Sequence, residues 1–256
     1  MPKTDRELAA MRRSGQILGT ALEEVQAAIR PGITGLELDS IVTKVIRGAG
    51  AEPSFLGYAP YGPDNPFPGA ICYSVNEMVV HGIPDDRALA PGDVVTVDVG
   101  VDYQGLKTDA AWTWSVGEVP AGTSDLLAAT RKALDDAVAI CGPGTSVEAI
   151  ARRIEKTVRG AGFAPVVALG GHGVGHQIWE PPHIPNRASG APRAILEKGA
   201  TFCIEPIVSA GSDQCRTAPD GWGVYTADGS WAAHFEHTLA LTGDGLEVLT
   251  QFRAVP

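Results

Sequence analysis

Long hydrophobic runs are missing from this chain of 256 residues. No stretch of 18 consecutive apolar residues occurs, so we expect no transmembrane helix. The segment MPKTDRELAAMRRSG at the start is polar and charged, and it lacks the apolar core of a secretory signal. Hydrophobic residues nevertheless make up 44% of the chain, which is enough to build a large core. We therefore expect a globular protein of the cytoplasm.

Positive charge and paired cysteines are also scarce. The chain has 20 basic and 30 acidic side chains, and its net charge of −10 repels a phosphate backbone. We therefore expect no direct binding to nucleic acid and no membrane association. The cysteines form no CxxC pair, which leaves zinc-finger and thioredoxin-type sites without support. They are expected to be reduced thiols, and they lie at Cys72, Cys141, Cys203 and Cys215.

One pattern occurs twice along the chain. PGITGLELDSIVTKVIRGAGAEP begins at position 31, and PGTSVEAIARRIEKTVRGAGFAP begins 112 residues later, at position 143. Each copy continues from Pro-Gly to a helix-capping residue, Thr34 or Ser146, and ends on Gly-Ala-Gly. Coincidence is the alternative, since Gly-Ala-Gly is common in alanine-rich chains. The repeat predicts a single domain, 1–256, with internally duplicated halves of about 1–120 and 121–256.

Periodicity gives a coarse map of helices and strands. Helices are predicted over 4–29, 34–48, 124–141 and 146–159. Strands are predicted over 71–75, 94–101, 108–114, 201–207, 222–225, 232–241 and 246–251. A loop rich in proline and glycine covers 57–69. Helices followed by strands in each half indicate an α+β architecture.

Four carboxylates lie in or beside the apolar strands. They are Asp98 in VVTVDVGV, Asp109 in LKTDAAWTW, Glu205 in TFCIEPIV and Glu236 in AAHFEHTLAL. A buried carboxylate is costly unless it is paired or bound to a metal. For Asp98 alone, a salt bridge or a backbone cap is the more common explanation. Four such groups need more positive charge than the few neighbouring lysines and arginines provide, so the pattern favours divalent cations.

A histidine between glycines can supply a nitrogen ligand. His172 lies in GGHGVG, where glycines let the backbone turn tightly and a ligand approach closely. A phosphate-binding loop is the rival interpretation, but no GxGxxG leads from a strand to a helix and no GK[ST] follows. Alternation on the predicted strand 232–241 places His234 with Glu236 on one face and His237 on the other, where a structural role is expected. The spacing is not HExxH, which argues against a zincin.

Five blocks of sequence together resemble the signature blocks of type I methionine aminopeptidases, in the same order and over nearly the whole chain. The blocks are SVNEMVVHGIPDD, GDVVTVDVGVDYQGLKTDAAWTW, GGHGVG, TFCIEPIV and AAHFEHTLALT. The resemblance implies the α+β pita-bread (creatinase/aminopeptidase) fold, in which two pseudo-symmetric α/β halves surround a central dinuclear metal site.

The resemblance also implies a set of metal ligands. Asp98, Asp109, His172, Glu205 and Glu236 match the family's five ligands position by position. Asp109 and Glu236 would bridge two divalent ions. Oxygen ligands with one imidazole suit manganese, iron or cobalt, and zinc is a further candidate. A hydroxide bridging the two ions would then be the nucleophile.

Catalytic and substrate-binding residues follow from the same resemblance. Glu205 matches the family's proton shuttle, and His81 in VVHGIP matches a histidine that hydrogen-bonds the substrate near the scissile amide. Without the family match, His81 would be read as an ordinary turn residue and the apolar positions as plain core. The residues expected to contact substrate are Phe55, Tyr58, Phe67, Cys72, Trp179, Trp222 and His234.

The sequence departs from the family at two places. Trp179 stands where the family has a second substrate-contacting histidine, seven residues after His172, and the nearby His176 and His183 are out of register. An indole can donate a hydrogen bond but cannot accept one, so activity should fall by about 10²–10⁴-fold if the missing histidine transfers protons. The loop 59–69 is longer than the family's segment, and we expect it over the substrate pocket.

Together these features predict a metal-dependent aminopeptidase that removes the N-terminal residue, foremost initiator methionine, from peptides and nascent proteins. One alternative keeps the fold and metals but changes the substrate. Another is a catalytically silent member that binds peptides or a partner protein. We expect a monomer that acts on peptide N-termini and associates with ribosomes.

Overall fold

Two pairs of helices frame the fold in this computed structural model, which describes residues 2–60 and 62–254. The helices are α1 (Asp5–Ala28), α2 (Gly35–Gly48), α3 (Thr123–Ala139) and α4 (Val147–Gly160). All four predicted helices are confirmed, with each end within two residues of its predicted position. In the described part of the chain, none of these helices is long and apolar enough to cross a membrane.

The second helix of each pair begins at a side-chain cap. The Thr34 hydroxyl accepts a hydrogen bond from Glu37 N at 3.2 Å, and the Glu37 carboxylate accepts one from Thr34 N at 2.9 Å. This is the capping box that the Thr-x-x-Glu spacing indicates. Ser146 caps α4 in a simpler way, since its hydroxyl accepts a hydrogen bond from Ala149 N at 3.2 Å.

The two helix pairs continue into the same kind of strand. Both α2 and α4 have 14 residues, and their bounds differ by 112 positions. Each leads to a two-residue strand, β1 (Glu52–Pro53) or β6 (Ala164–Pro165), again 112 positions apart. This correspondence supports the proposed internal duplication. The exact limits of the two halves stay a prediction.

A four-stranded sheet forms most of the first half. It contains β1, β2 (Ile71–Val75), β4 (Val94–Tyr103) and β5 (Leu106–Ser115). Strand β4 is central and pairs with β5 along its whole length, while β1 and β2 share its other edge. Helices α1 and α2 pack on this sheet, and the resulting core includes Leu22, Val42 and Val97.

The remaining strands, together with β6, form three further sheets of five, three and three strands. Their bounds are β3 (Met78–Val80), β7 (Gly170–Gly173), β8 (Glu180–Pro185), β9 (Thr201–Ile204), β10 (Ile207–Ser209), β11 (Cys215–Thr217), β12 (Val224–Thr226), β13 (Ala232–His234), β14 (His237–Thr242) and β15 (Gly245–Val248). The orders are β15-β14-β9-β7-β8, β13-β10-β6 and β11-β12-β3. Helices α3 and α4 pack against the second half, with a core that includes Leu134, Ile154 and Phe202.

The predictions of single strands over 201–207 and 232–241 are wrong. The first is interrupted at Glu205-Pro206 and the second at Phe235-Glu236. On one side of these interruptions β9 pairs with β14, and on the other side β10 pairs with β13. Both segments therefore change sheets at the same place. Pro206 has no N–H for a continuous ladder, which explains the first interruption.

Candidate metal centre

Two of the expected ligands lie on the hairpin of β4 and β5. In the hairpin register, Asp98 is opposite Ala111 and Gly100 is opposite Asp109. Asp98 and Asp109 are therefore diagonal neighbours on one face of the sheet, within reach of each other. Cys72 on β2 is opposite Asp98 and shares that face. The hairpin register thus brings two carboxylates together from positions 11 residues apart.

The other two carboxylates occupy the place where paired strands change sheets. Glu205 follows β9, and Glu236 stands between β13 and β14. Because neither residue is in a regular strand, each can direct its carboxylate out of the sheets. Both are buried, with Glu236 only 2% exposed. The interruption that the sequence did not predict is therefore what positions these two acids.

His172 completes the cluster from β7. Its Nδ1 lies 3.0 Å from the carbonyl oxygen of Gly173 and must donate to it, since a carbonyl can only accept. The Nε2 atom then carries the lone pair, and it lies 3.5 Å from Glu205 Oε1 and 3.9 Å from Asp109 Oδ2. A neutral imidazole fixed in this tautomer is a suitable metal ligand.

A glycine allows His172 to come so close to the acids. A Cβ atom on Gly171 would lie 2.2 Å from the carbonyl oxygen of Cys203 on β9. Only glycine permits this approach of the two backbones. The glycines flanking His172 thus set the spacing between the imidazole and Glu205, which follows β9.

Hydrogen bonds join the two halves of the fold at the cluster. The Thr238 hydroxyl accepts from Asp109 N at 2.8 Å and donates to Asp109 O at 2.7 Å. Glu236 N donates to Ala111 O at 2.9 Å. These contacts hold β5 against the segment that carries Glu236, so ligands from both halves keep fixed positions.

The electrostatics of the cluster call for positive charge. Burial, followed by the charge of Glu236, raises the pKa of Asp98 to about 7 and raises that of Asp109 well above its usual value. Burial also raises the pKa values of Glu205 and Glu236. Three buried oxygen atoms, Asp98 Oδ1, Asp109 Oδ1 and Glu236 Oε1, have no hydrogen-bond partner within the described residues.

No lysine or arginine in the described ranges forms an ion pair with these four acids, whose charged-group contacts are all with histidine. The salt-bridge alternative left open by the sequence therefore does not apply. Possible ligand atoms lie within 4.8 Å of one another in two groups, one of Asp109, His172, Cys203 and Glu236 and one of Glu205, His234 and Glu236. Apart from the Cys203 sulfur, the donors in both groups are oxygen and nitrogen atoms, and this arrangement fits a divalent metal ion.

Two further histidines on the segment 232–242 have different surroundings. His234 Nε2 lies 3.5 Å from both Glu205 Oε2 and Glu236 Oε2, and burial lowers the pKa of its imidazole to about 4. His237 points away from the cluster, where it contacts Trp112 and lies 3.1 Å from the Thr250 hydroxyl. The predicted division of these side chains between two faces therefore persists across the interrupted strand.

The cluster lies in a cavity of about 740 Å³. All the residues expected to contact substrate line it, and they are Phe55, Tyr58, Phe67, Cys72, Trp179, Trp222 and His234. Phe67 packs edge-on against Phe55, with centroids 6.5 Å apart, and against Trp222, with centroids 5.0 Å apart. An apolar wall of this kind can hold an apolar side chain next to the polar cluster.

His81 and the proline-rich loop also border the cavity. His81 has a φ of 59°. Its side chain lines the cavity, where it remains accessible to solvent although protein atoms surround it and displace part of its water. Reduced hydration and then the nearby His234 lower the pKa of its imidazole, so it is neutral at pH 7. Within the loop 59–69, Pro60 and Phe67 line the cavity, whereas Tyr61 lies outside the described residues.

Trp179 lies at the rim of the cavity. Its side chain is 52% exposed, and its ring centroid is 6.3 Å from that of His172. The exposed indole can contact a ligand that extends out of the cavity. It is not part of the buried cluster.

Several residues that line or adjoin the site were not expected from the sequence. Cys203 belongs to one of the possible ligand groups, Arg216 lines the cavity, and His183 lies directly opposite His172 in the β7–β8 pairing. Alternation along TFCIEP places Cys203 on the face of Glu205 and could have identified it. The cross-strand partner of His172 depends on a register that the sequence does not reveal.

Comparisons with known proteins agree with this geometry. A family model described as metallopeptidase family M24 matches residues 9–243. The chain is 41% identical to methionine aminopeptidase 1 of Bacillus subtilis over 249 residues, which covers 97% of this chain and 98% of the relative. It is also 41% identical to methionine aminopeptidase 1 of Mycobacterium tuberculosis, with 95% and 92% covered.

Solved structures give the same picture. The crystal structure of methionine aminopeptidase from Thermotoga maritima superposes with a TM-score of 0.93 at 39% identity, and covers 98% of this chain and 99% of that one. The Xaa-Pro dipeptidase from Bacillus anthracis superposes with a TM-score of 0.79 at 22% identity, and this chain covers 63% of it. The second similarity concerns the fold alone.

Proposed function

This chain belongs to metallopeptidase family M24, and from that premise we propose that it is a methionine aminopeptidase that acts on the N-termini of peptides and nascent proteins. It has the pita-bread fold that the sequence predicted. The observation that carries the proposal is the cluster of four carboxylates and one imidazole in an apolar-walled cavity, in which all five residues are buried except the half-buried Asp98. Such a cavity can take a free amine and an apolar side chain together.

The proposed metal ligands are Asp98, Asp109, His172, Glu205 and Glu236. We propose two divalent ions, since Glu236 belongs to both groups of possible ligands and four acids exceed the charge of one ion, although Asp98 lies outside both groups. Mostly oxygen donors with one imidazole favour manganese, iron or cobalt, with zinc as a further candidate. Bound ions would polarise the scissile carbonyl and activate water.

The protein's own groups then bind and orient the peptide. Glu205, next to both His172 and His234, is the proposed group that accepts and passes on the proton of water. His81, neutral and exposed to the cavity, is the proposed hydrogen-bond partner of the scissile amide. The free amine of a substrate would lie near the carboxylates, which explains why cleavage is limited to the first residue.

The apolar wall is the proposed pocket for the first side chain. Phe55, Phe67 and Trp222 form its aromatic part, and Cys72 and Tyr58 border it. An unbranched thioether side chain fits such an irregular apolar space and makes favourable contacts with aromatic rings. The pocket therefore favours methionine.

One assay tests the proposal. The purified protein, loaded with Mn(II) or Co(II), is incubated with Met-Ala-Ser and with matched tripeptides that begin with other residues. We expect release of free methionine and slower release of other first residues. Hydrolysis of non-methionyl peptides only would indicate the changed specificity that Trp179 suggests. No hydrolysis of any peptide by metal-loaded protein would indicate a peptide-binding protein instead.

Association with ribosomes, a monomeric state and a cytoplasmic location remain predictions from the sequence. Pull-down with purified ribosomes and light scattering of the purified protein test the first two. They bear on how nascent chains reach the site and do not alter the proposed reaction.

A further inference from the structure

One histidine of the cavity has no role in the proposed reaction. Four histidines line the cavity, namely His81, His172, His183 and His234. In the proposed reaction, His81 binds substrate, His172 binds metal, and His234 lies next to Glu205. His183 on β8 is partly buried, and no hydrogen bond engages its ring within residues 2–60 and 62–254.

The register of β7 and β8 directs His183 towards the metal centre. Gly171 pairs with Ile184 and His172 pairs with His183, but Gly173 pairs with Glu180. Pro181 and Pro182 are therefore extra residues on β8, because a regular register continued from the Gly173–Glu180 pair would place Pro181 opposite His172. Residues directly opposite on antiparallel strands have side chains on one face, with Cβ atoms about 5 Å apart. His183 thus projects on the side on which His172 faces the acids.

Trp179 and His183 differ in the hydrogen bonds that their side chains can form. Trp179 is exposed at the rim, and its indole can only donate a hydrogen bond. An imidazole can both donate and accept, and the strand holds that of His183 inside the cavity. We propose that His183 contacts the peptide beside the scissile bond and supplies the hydrogen-bonding histidine that position 179 lacks. This inference rests on the proposed aminopeptidase function.

The test is a double-mutant cycle with metal-loaded protein and Met-Ala-Ser. We expect His183→Gln to lower kcat by about 10²-fold, as the loss of a transition-state hydrogen bond does, with unchanged metal content and Tm. Trp179→His alone should raise kcat by no more than about tenfold, because His183 already supplies the hydrogen bond. In the variant that combines His183→Gln with Trp179→His, kcat should be at least about tenfold higher than in His183→Gln alone. A merely structural role of His183 would not allow this recovery. His176→Gln, at a surface histidine paired with Glu7, is the matched control.

Several outcomes would overturn the inference. They are wild-type kcat in His183→Gln, loss of metal together with activity in that variant, and a gain of more than about tenfold in Trp179→His alone. If His183→Gln fails to fold, the kcat of Trp179→His alone still decides the question. If wild-type protein hydrolyses no peptide, the proposed function fails. The contact is then judged from calorimetric binding of Met-Ala-Ser, where equal Kd values for wild type and His183→Gln overturn it.

Discussion

Replacing Asp109 with asparagine should stabilise the metal-free protein and remove its stabilisation by metal. Asp109 is 5% exposed, and its Oδ1 has no hydrogen-bond partner within the described residues. Its ligand atom lies within 4.8 Å of that of Glu236. Two unit charges at that distance repel by about 3.5 kcal/mol at an effective dielectric constant of about 20.

The expected gain is smaller than this repulsion. Burial raises the pKa values of both groups, which favours their uncharged forms and so reduces the repulsion. We expect about 1–3 kcal/mol of stabilisation for Asp109→Asn without metal, or about 3–9 °C in Tm. In wild type, Mn(II) at 100 times its Kd should add about 2.7 kcal/mol, or about 5–10 °C.

Scanning calorimetry with and without a chelator measures both effects. The matched control is Asp135→Asn on the exposed face of α3, which should leave both Tm values within about 1 °C of wild type. The reasoning is refuted if metal-free Asp109→Asn is less stable than metal-free wild type. It is also refuted if Mn(II) raises the Tm of the variant as much as that of wild type.

Three further predictions concern the pocket, the pH dependence and the backbone. Phe67→Ala should raise KM for methionyl peptides more than it lowers kcat, because it opens the wall against Trp222, and steady-state kinetics with unchanged metal content would show this. The pKa of Asp98 is raised from 3.8 to about 7, so its proton stabilises the folded chain at low pH and this contribution is lost as pH rises from about 4 to 7. In urea titrations, the free energy of unfolding of metal-free wild type should therefore fall by up to about 4 kcal/mol relative to that of Asp98→Asn over that pH range. A difference between the two proteins that does not change with pH would contradict the raised pKa. Gly171→Ala should weaken Mn(II) binding, since its Cβ would meet Cys203 O, and wild-type affinity by calorimetry would contradict that role.

The helices and their caps could be predicted because their signals are local. Thr34 and Glu37 are three residues apart, and the apolar residues of α2 follow the period of a helix, so the sequence located that element within one residue. The strand segments around Glu205 and Glu236 were harder. Their apolar residues continue through the interruption, and nothing local shows that the two segments change sheets together.

The amino-acid sequence by itself determined that the site is acidic and requires a cation. Four acids placed in apolar segments, with one histidine among glycines, require positive charge wherever the chain folds, because burial penalises an unpaired carboxylate in any context. Tertiary structure alone decided which side chains meet. The extra prolines of β8 set His183 opposite His172, and the shared interruption of two strand pairs aims Glu205 and Glu236 at one point. Register between distant strands depends on the packing of both halves, and no short stretch of sequence carries it.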